Sequence, residues 1–130
     1  MPERGNTVLV VDDSAGVRHV ITHLLEPEGL HIVGVADGEA ALQEARSLPG
    51  LVLIFCDVTM PVMSGMELLA KLKAEPATAA VPVLMMTALD DPSTIAQARA
   101  TGAVGWIIKP FAKGHIVAAA RKVLSKIKAP

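Results

Sequence analysis

Five short apolar runs divide the chain, and each run ends at a polar or charged residue. Two of them, over residues 8–11 and 51–56, contain no polar position, so other parts of the protein should cover both faces of these segments. Uninterrupted apolar runs of this length are typical of inner strands in a parallel sheet. The pattern therefore predicts five β-strands, over residues 7–11, 31–36, 51–57, 81–86 and 104–108.

The segments between the strands carry apolar residues at helical spacing. Four of the predicted helices begin after a side chain that can accept a hydrogen bond from a free backbone N–H, namely Ser14, Asp37, Ser64 and Asp91. Proline and glycine mark where the helices end, at Pro27 with Gly29, Pro49 with Gly50, Pro76 and Gly102. The sequence thus predicts five helices. The first starts at Ser14 and is stopped by Pro27 and Gly29. The other four span about 37–47, 64–75, 91–102 and 112–127. The fourth has a thin apolar stripe, so its anchoring should be weak.

Repeated alternation of strand and helix predicts a parallel sheet with helices on both faces. Five strands fit the flavodoxin-like order 2-1-3-4-5, and we expect one three-layer α/β/α domain with its core at about residues 6–127. That order places the first strand beside the third, so Asp12, Asp13 and Asp57 should share one crevice. Thr87 and Lys109 end the fourth and fifth strands at the same edge of the sheet.

The composition argues against several classes of protein. Hydrophobic residues make up 52% of the 130-residue chain and charged residues 19%, which is enough apolar material for a core without disulfides. A formal net charge of −1 argues against nucleic acid as a partner. The single cysteine, Cys56, excludes an internal disulfide. No apolar stretch approaches the length of a membrane span and the polar start has no apolar signal region, so we expect a cytoplasmic protein.

Three carboxylates in one crevice repel one another unless a cation neutralises them. Mg²⁺ prefers carboxylate, carbonyl and water oxygens, and Lys109 adds a fixed positive charge beside the hydroxyl of Thr87. Such a set can stabilise a transferring phosphoryl group, and a carboxylate can act as the nucleophile that forms an aspartyl-phosphate. The alternative interpretation is a salt-bridged cluster that only stabilises strand ends, which explains an Asp–Lys pair but not three crowded acids.

Four sequence motifs resemble the receiver domain of two-component response regulators, in particular the single-domain chemotaxis regulators. They are Val10-Val11-Asp12-Asp13-Ser14, Asp57-Val58-Thr59-Met60-Pro61 with Gly65, Met86-Thr87-Ala88, and Gly102-Ala103-Val104-Gly105-Trp106 through Lys109-Pro110-Phe111. Each motif alone is weak, but four in order at the strand ends are highly specific, and they cover essentially the whole chain. The family usually has Tyr or Phe where this chain has Trp106.

The resemblance implies a role for each of these residues. Asp57 would be the phosphoacceptor, and Asp13, Asp57 and the backbone carbonyl of Thr59 would bind Mg²⁺. Asp12 would act largely through metal-bound water. Lys109 would contact the phosphoryl group, with Thr87 and Trp106 forming the switch. The resemblance also implies a cis peptide bond between Lys109 and Pro110.

A histidine kinase or phosphotransfer protein would supply the phosphoryl group, according to the same resemblance. A downstream protein would then recognise the surface of the fourth helix, fifth strand and fifth helix. No turnover of an external substrate is expected. The chain would be either a stand-alone regulator or a domain of a larger protein.

Two other functions remain open at this point. One is a binding scaffold with this fold that does not use phosphorylation, which failure to bind Mg²⁺ would favour. The other is a phosphatase with an aspartyl nucleophile, but the DxDxT pattern of such enzymes is missing after the first strand. His19 and His23 have the spacing of metal ligands on a helix, yet they lie opposite its apolar stripe and are expected to be solvated.

Overall fold

A computed structural model describes residues 5–88 and 91–127 of the chain. Its five strands are β1 (Thr7–Val11), β2 (His31–Val35), β3 (Leu51–Asp57), β4 (Val83–Thr87) and β5 (Gly105–Ile108). All neighbouring strands pair in parallel, and the sheet has the order β2-β1-β3-β4-β5. The predicted fold and strand order are therefore confirmed.

Five helices connect and flank the strands: α1 (Ala15–Leu25), α2 (Gly38–Ser47), α3 (Gly65–Ala74), α4 (Pro92–Thr101) and α5 (Lys113–Ile127). All four predicted N-caps are confirmed, because each side chain accepts a backbone hydrogen bond from the first turn of its helix. Ser64 goes further and forms a reciprocal capping box with Glu67. These caps set where each helix leaves the carboxyl edge of the sheet.

Two apolar layers sandwich the sheet. One face packs against α2, α3 and α4, with Ile54, Leu69 and Met85 among its fully buried members. The other face packs against α1 and α5, where Phe55 and Ile116 are fully buried. Since alternate residues of a strand point to opposite faces, the uninterrupted apolar runs of β1 and β3 supply both layers at once. No helix within residues 5–88 and 91–127 is long and apolar enough to cross a membrane.

The element bounds differ from the predicted ones at several ends. β4 begins at Val83 rather than at residue 81, because the N–H of Val81 donates to the Thr78 carbonyl in a turn, and Pro82 has no N–H to offer a neighbouring strand. Glu26–Glu28 form a 3₁₀ turn that the sequence pattern did not predict. β2 ends one residue earlier than predicted, and β5 and α5 each begin one residue later.

Candidate functional site

Asp57 is the last residue of β3, the central strand of the sheet, and only 6% of the residue is exposed. Gly65 at the start of α3 packs directly against the end of this strand and donates its N–H to the Val58 carbonyl at 2.8 Å. A Cβ atom added at Gly65 would lie 2.0 Å from the backbone oxygen of Asp57, so no other residue fits there without movement. The close approach of α3 holds the end of β3 at a defined position.

Asp12 and Asp13 follow β1, the strand next to β3, and they differ in exposure. Asp12 is fully buried, and its Oδ1 accepts a hydrogen bond from the Ser14 N–H at 2.9 Å. Asp13 is exposed. The backbone N–H of Asp12 donates to the Val35 carbonyl at 3.1 Å, which joins the end of β1 to the end of β2.

Lys109 joins two of the carboxylates. Its Nζ lies 2.7 Å from Asp12 Oδ2 and 3.2 Å from Asp57 Oδ1, and its side chain is 20% exposed. The backbone N–H of Lys109 donates to the Thr87 carbonyl at 2.7 Å, so the end of β5 is held against the end of β4. The Lys109–Pro110 peptide bond is cis, which confirms the expectation drawn from the family resemblance.

The site holds negative carboxylates close together, with the cation of Lys109 among them. Burial, followed by repulsion from Asp12, raises the pKa of the Asp57 carboxyl above its ordinary value, and contacts with Lys109 and the Thr59 N–H offset part of the shift. Burial alone would lower the pKa of Lys109, but its contacts with Asp12 and Asp57 outweigh burial and raise it. Lys109 therefore carries a positive charge at neutral pH, in contact with two of the three acids.

The three acids are close enough to bind one metal ion. Carboxylate oxygens of Asp12, Asp13 and Asp57 all lie within 4.8 Å of one another. A set made only of hard oxygen donors fits Mg²⁺, and the exposure of Asp13 leaves that side open to the water molecules that Mg²⁺ retains. The predicted meeting of these acids in one crevice is thus confirmed. Thr59 is exposed, and the ligand role of its carbonyl stays a prediction.

Thr87 and Trp106 lie on the neighbouring strands β4 and β5. Thr87 ends β4 and is 1% exposed. Trp106 pairs with Met85 across β4 and β5, is partly buried, and packs against the layer formed by α2, α3 and α4. Its Nε1 is buried and has no hydrogen-bond partner among the described residues.

Arg18, a residue of α1, contacts the acid-bearing turn and was not predicted from the sequence as part of the site. Its Nη1 donates to the backbone carbonyl of Asp12 at 2.6 Å. Its aliphatic part crosses Gly34 of β2, where an added Cβ would lie 3.2 Å from Arg18 Cδ. The glycine within a strand is the one sequence signal that could have indicated this close approach. His19 and His23 on the same helix are exposed, as predicted.

Comparison with known proteins identifies, over most of the chain, the family that the sequence motifs resemble. A model of the response regulator receiver domain family matches residues 8–121. Among solved structures, the Vibrio cholerae chemotaxis protein CheY4 is 33% identical, with a TM-score of 0.86 over 92% of this chain and 98% of that one. The signal receiver domain of a histidine kinase from Syntrophus aciditrophicus is 31% identical, with a TM-score of 0.85 over 97% of this chain and 95% of that one.

Curated relatives are longer than this chain. The probable transcriptional regulator ycf27 of Porphyridium aerugineum is 35% identical over 92% of this chain and 48% of its own length. The DNA-binding response regulator MtrA of Mycobacterium leprae is also 35% identical, over 92% of this chain and 51% of its own length. The chain therefore spans about half the length of the curated relatives it matches.

A doubly wound domain with an acidic cluster at the carboxyl edge of its sheet is the architecture of receiver domains, which are signalling modules rather than metabolic enzymes. The chain belongs to the response regulator receiver domain family of two-component systems. Receiver domains bind Mg²⁺ at such a cluster, and they interact with histidine kinases and with downstream effectors.

Proposed function

We propose that this chain is a phosphorylation-switched receiver in which Asp57 accepts a phosphoryl group from the phosphohistidine of a histidine kinase or phosphotransfer protein. The observation that carries the proposal is the position of the Asp57 carboxylate, 3.2 Å from Lys109 Nζ and grouped with two further acids. An ordinary structural ion pair needs one acid for one cation. This site groups three acids at the carboxyl end of the central strand, and the one lysine there contacts two of them.

The chemistry is a single displacement at phosphorus. An oxygen of the ionised Asp57 carboxylate attacks, the new P–O bond forms as the P–N bond of phosphohistidine breaks, and the electron pair returns to the imidazole nitrogen. Lys109 is placed to neutralise negative charge on the phosphoryl oxygens, because its Nζ already contacts Asp57. The second contact of Lys109, to Asp12, limits the rotamers of the lysine and keeps Nζ at the site.

Asp13 and Asp57, with the Thr59 carbonyl, are the proposed ligands of Mg²⁺, and the buried Asp12 completes the negative charge that attracts the ion. Bound Mg²⁺ would offset charge on both the acids and the phosphoryl oxygens. Asp13 suits this role because it is the exposed member of the cluster, where an ion can arrive with its water.

The output we propose runs through Thr87 and Trp106 to the surface of α4, β5 and α5. New phosphoryl oxygens beside Thr87 would attract its hydroxyl, and Trp106 would respond to the rearranged end of β4. The buried Nε1 of Trp106 supports this, because it has no hydrogen-bond partner among the described residues, and a rearrangement that pairs such a buried donor recovers about 1–3 kcal/mol. Among its described positions, α4 buries only Ala98, so little packing resists its displacement.

Incubation with acetyl phosphate tests the nucleophile. With Mg²⁺ present, the protein should gain one phosphoryl group, and mapping after chemical trapping should place it on Asp57. Asp57→Asn should abolish labelling, and Asp13→Asn should slow it because the metal is held less tightly. Labelling of Asp57→Asn as strong as that of the parent protein would refute the assignment.

The same incubation separates the two remaining functions. A chain that neither binds Mg²⁺ nor gains a phosphoryl group would be a binding scaffold with a receiver fold. Steady hydrolysis of a small phosphomonoester would indicate a phosphatase. The proposed receiver should consume acetyl phosphate only at the rate at which its own Asp57 is phosphorylated and dephosphorylated.

A further inference from the structure

Two histidines lie side by side on the exposed face of α1. His19 and His23 both belong to this helix, and both are exposed. Residues four positions apart are neighbours on consecutive turns of a helix, so the two imidazoles can reach one ligand together. The acid cluster contains neither of them, and the proposed phosphorylation uses neither. The pair is therefore open to a role of its own.

Glu26 extends the same face of the helix by one turn. It caps the C-terminus of α1 with helical backbone dihedrals, φ −56° and ψ −42°, so the helical spacing continues through it. Positions i, i+4 and i+7 of a helix lie on one face, and Glu26 is exposed like the two histidines. His19, His23 and Glu26 thus present two imidazoles and one carboxylate to solvent along a single stripe.

The rest of α1 leaves this stripe accessible. The buried residues of the helix, Ile21 and Leu25, pack on its opposite face in the layer that contains α5. One turn before His19, the exposed positions are the small residues Ala15 and Gly16, which leave room for an ion with its water. A ligand can therefore approach the stripe without displacing any part of the core.

The fold uses none of these three side chains. Within the described part of the chain, the side chains of His19, His23 and Glu26 form no hydrogen bond and no ion pair. Among the described residues, only the acid cluster has three or more metal-ligating side chains with their ligand atoms already together. Binding at α1 therefore requires the three side chains to rotate, and no contact of the folded protein opposes that rotation.

We propose that His19, His23 and Glu26 bind a divalent transition-metal ion, with Zn²⁺ as its representative. Imidazole nitrogen is a preferred ligand of Zn²⁺, Cu²⁺ and Ni²⁺, whereas Mg²⁺ prefers oxygen. Two histidines at i, i+4 on one helix face, completed by a carboxylate, form a known set of three zinc ligands, and water takes the fourth tetrahedral position. The inference goes beyond the proposed function, because no residue of the acid cluster takes part.

The other two histidines do not belong to this site. His31 is on β2, and it shares a face of the strand with Val33, which packs in the layer formed by α2, α3 and α4 rather than against α1. His115 is exposed near the start of α5, and the residues three and four positions after it are Ala118 and Ala119. His115 has no second ligand beside it on α5 and is therefore a suitable control.

Titration with Zn²⁺ in millimolar Mg²⁺ tests the site on a chain without an added histidine tag. Mg²⁺ competes for the acid cluster and leaves imidazoles free, because it binds nitrogen poorly. Zn²⁺ should then shift the imidazole resonances of His19 and His23, while those of His31 and His115 stay in place. Zn²⁺ should also raise the melting temperature and slow amide hydrogen exchange in the last turns of α1, because the ion links consecutive turns of the helix.

Single substitutions distinguish one shared ion from two separate ligands. His19→Gln and His23→Gln should each weaken Zn²⁺ binding at α1 by about tenfold or more, because the second ligand of a chelate binds at a high effective concentration. The double variant should be little worse than either single variant, since the two effects are not additive. Glu26→Gln should weaken binding by about threefold, and His115→Gln should stay within about twofold of the parent protein.

Three results would overturn the inference. The first is the absence of any histidine shift in the parent protein, and the second is equal Zn²⁺ affinity in His19→Gln and the parent protein. The third is a loss of half the bound Zn²⁺ in each single variant with the rest bound at parent affinity, which would mean that the histidines bind separately. Both histidines are exposed and unpaired within the described residues, so the variants should unfold at the parent midpoint in EDTA, and misfolding would not explain lost binding.

Discussion

Arg18 and Lys109 hold the acid-bearing turn after β1 from two sides. Lys109 contacts the Asp12 carboxylate, and Arg18 donates to the Asp12 carbonyl at 2.6 Å. That carbonyl belongs to the peptide unit that leads into Asp13, so Arg18 helps to set where the exposed carboxylate points. Arg18 is thus a positioning residue for the proposed metal site, since it contacts the backbone and not the ligand oxygens.

Replacing Arg18 tests this role. Arg18→Met keeps the aliphatic part that crosses Gly34 but loses the hydrogen bond, and we expect Mg²⁺ affinity to fall by about tenfold. Arg18→Lys should recover part of the affinity because an ammonium can still donate to the carbonyl. Calorimetric titration with Mg²⁺ measures the affinity of both variants. The control is Arg46→Met, which removes an arginine that pairs with Glu75 outside the acid cluster. Equal affinities for Arg18→Met and the parent protein would contradict the role.

Asp57 is a source of instability in the metal-free protein. The pKa of its carboxyl is raised in the folded protein, which means that folding disfavours the charged form. The contribution of Asp57 to the free energy of unfolding is therefore greatest below the ordinary carboxyl pKa, and it decreases as pH rises through the raised pKa. Asp57→Asn should therefore raise the free energy of unfolding at pH 7 in EDTA, because the neutral amide brings no negative charge into the site.

Urea unfolding at pH 7 and pH 3 measures this difference. The advantage of Asp57→Asn should shrink at pH 3, where the carboxyl is protonated in both the folded and unfolded states. Millimolar Mg²⁺ should reduce the advantage at pH 7, because the parent protein gains stability from an ion that the variant holds less tightly. An advantage that is equal at both pH values would show that charge is not its cause.

At the scale of elements, the loop between β3 and α3 is clamped at both ends. Met60 is buried, and Gly65 packs on the Asp57 backbone. Between them Val62 adopts a φ of +71° at the centre of a γ-turn, which the Met63 N–H closes on the Pro61 carbonyl at 2.8 Å. Such turns are rare and strained, so the packing at the two ends must hold this one in place.

Gly65→Ala tests the clamp. Its Cβ would collide with the Asp57 backbone oxygen, so we expect a loss of about 2–3 kcal/mol in the free energy of unfolding, together with slower phosphorylation of Asp57. Gly114→Ala in α5 is the matched control, because none of the described residues lies within 4 Å of its added Cβ, and it should be neutral or stabilise by up to about 1 kcal/mol. Similar denaturation midpoints for the two variants would show that α3 can move away without cost.

At the scale of the whole molecule, the acid cluster and a groove lined by Trp106, Lys122 and Val123 lie at different places along β5. Lys109 follows the carboxyl end of this strand, and Gly105 and Trp106 at its start line the groove. β5 and α4 therefore connect the proposed input to the proposed output. A phosphoryl group must favour the active arrangement by on the order of 1–3 kcal/mol to switch the population usefully.

Beryllofluoride, a mimic of the phosphoryl group, tests the connection. With Mg²⁺ present, amide chemical shifts should change at the acid cluster and also within residues 92–108, because α4 is held by little packing and Trp106 lies beneath it. Asp57→Asn should show neither set of changes. Shifts confined to the surroundings of Asp12, Asp13 and Asp57 would mean that phosphorylation does not reach this surface.

Local patterns in the sequence determined the elements and their order. Apolar runs specified the strands, short polar side chains specified the helix starts, and strand–helix alternation left few topologies to choose from. The crevice residues were predictable for the same reason, since carboxyl ends of parallel strands meet at one edge of the sheet. The cis bond before Pro110 was predictable only through the family resemblance.

Tertiary structure alone decided the local conformations and contacts that depend on packing. Three features depend on how neighbouring elements pack: the hydrogen bond from Arg18 to the Asp12 carbonyl, the γ-turn at Val62, and the buried Nε1 of Trp106, which has no partner in the part of the chain that the structure describes. The absence of acids after Asp91 is visible in the sequence. That Arg99, Lys122 and Lys126 surround one groove is not, because only the packing of α4 and α5 beside the edge strand brings them together.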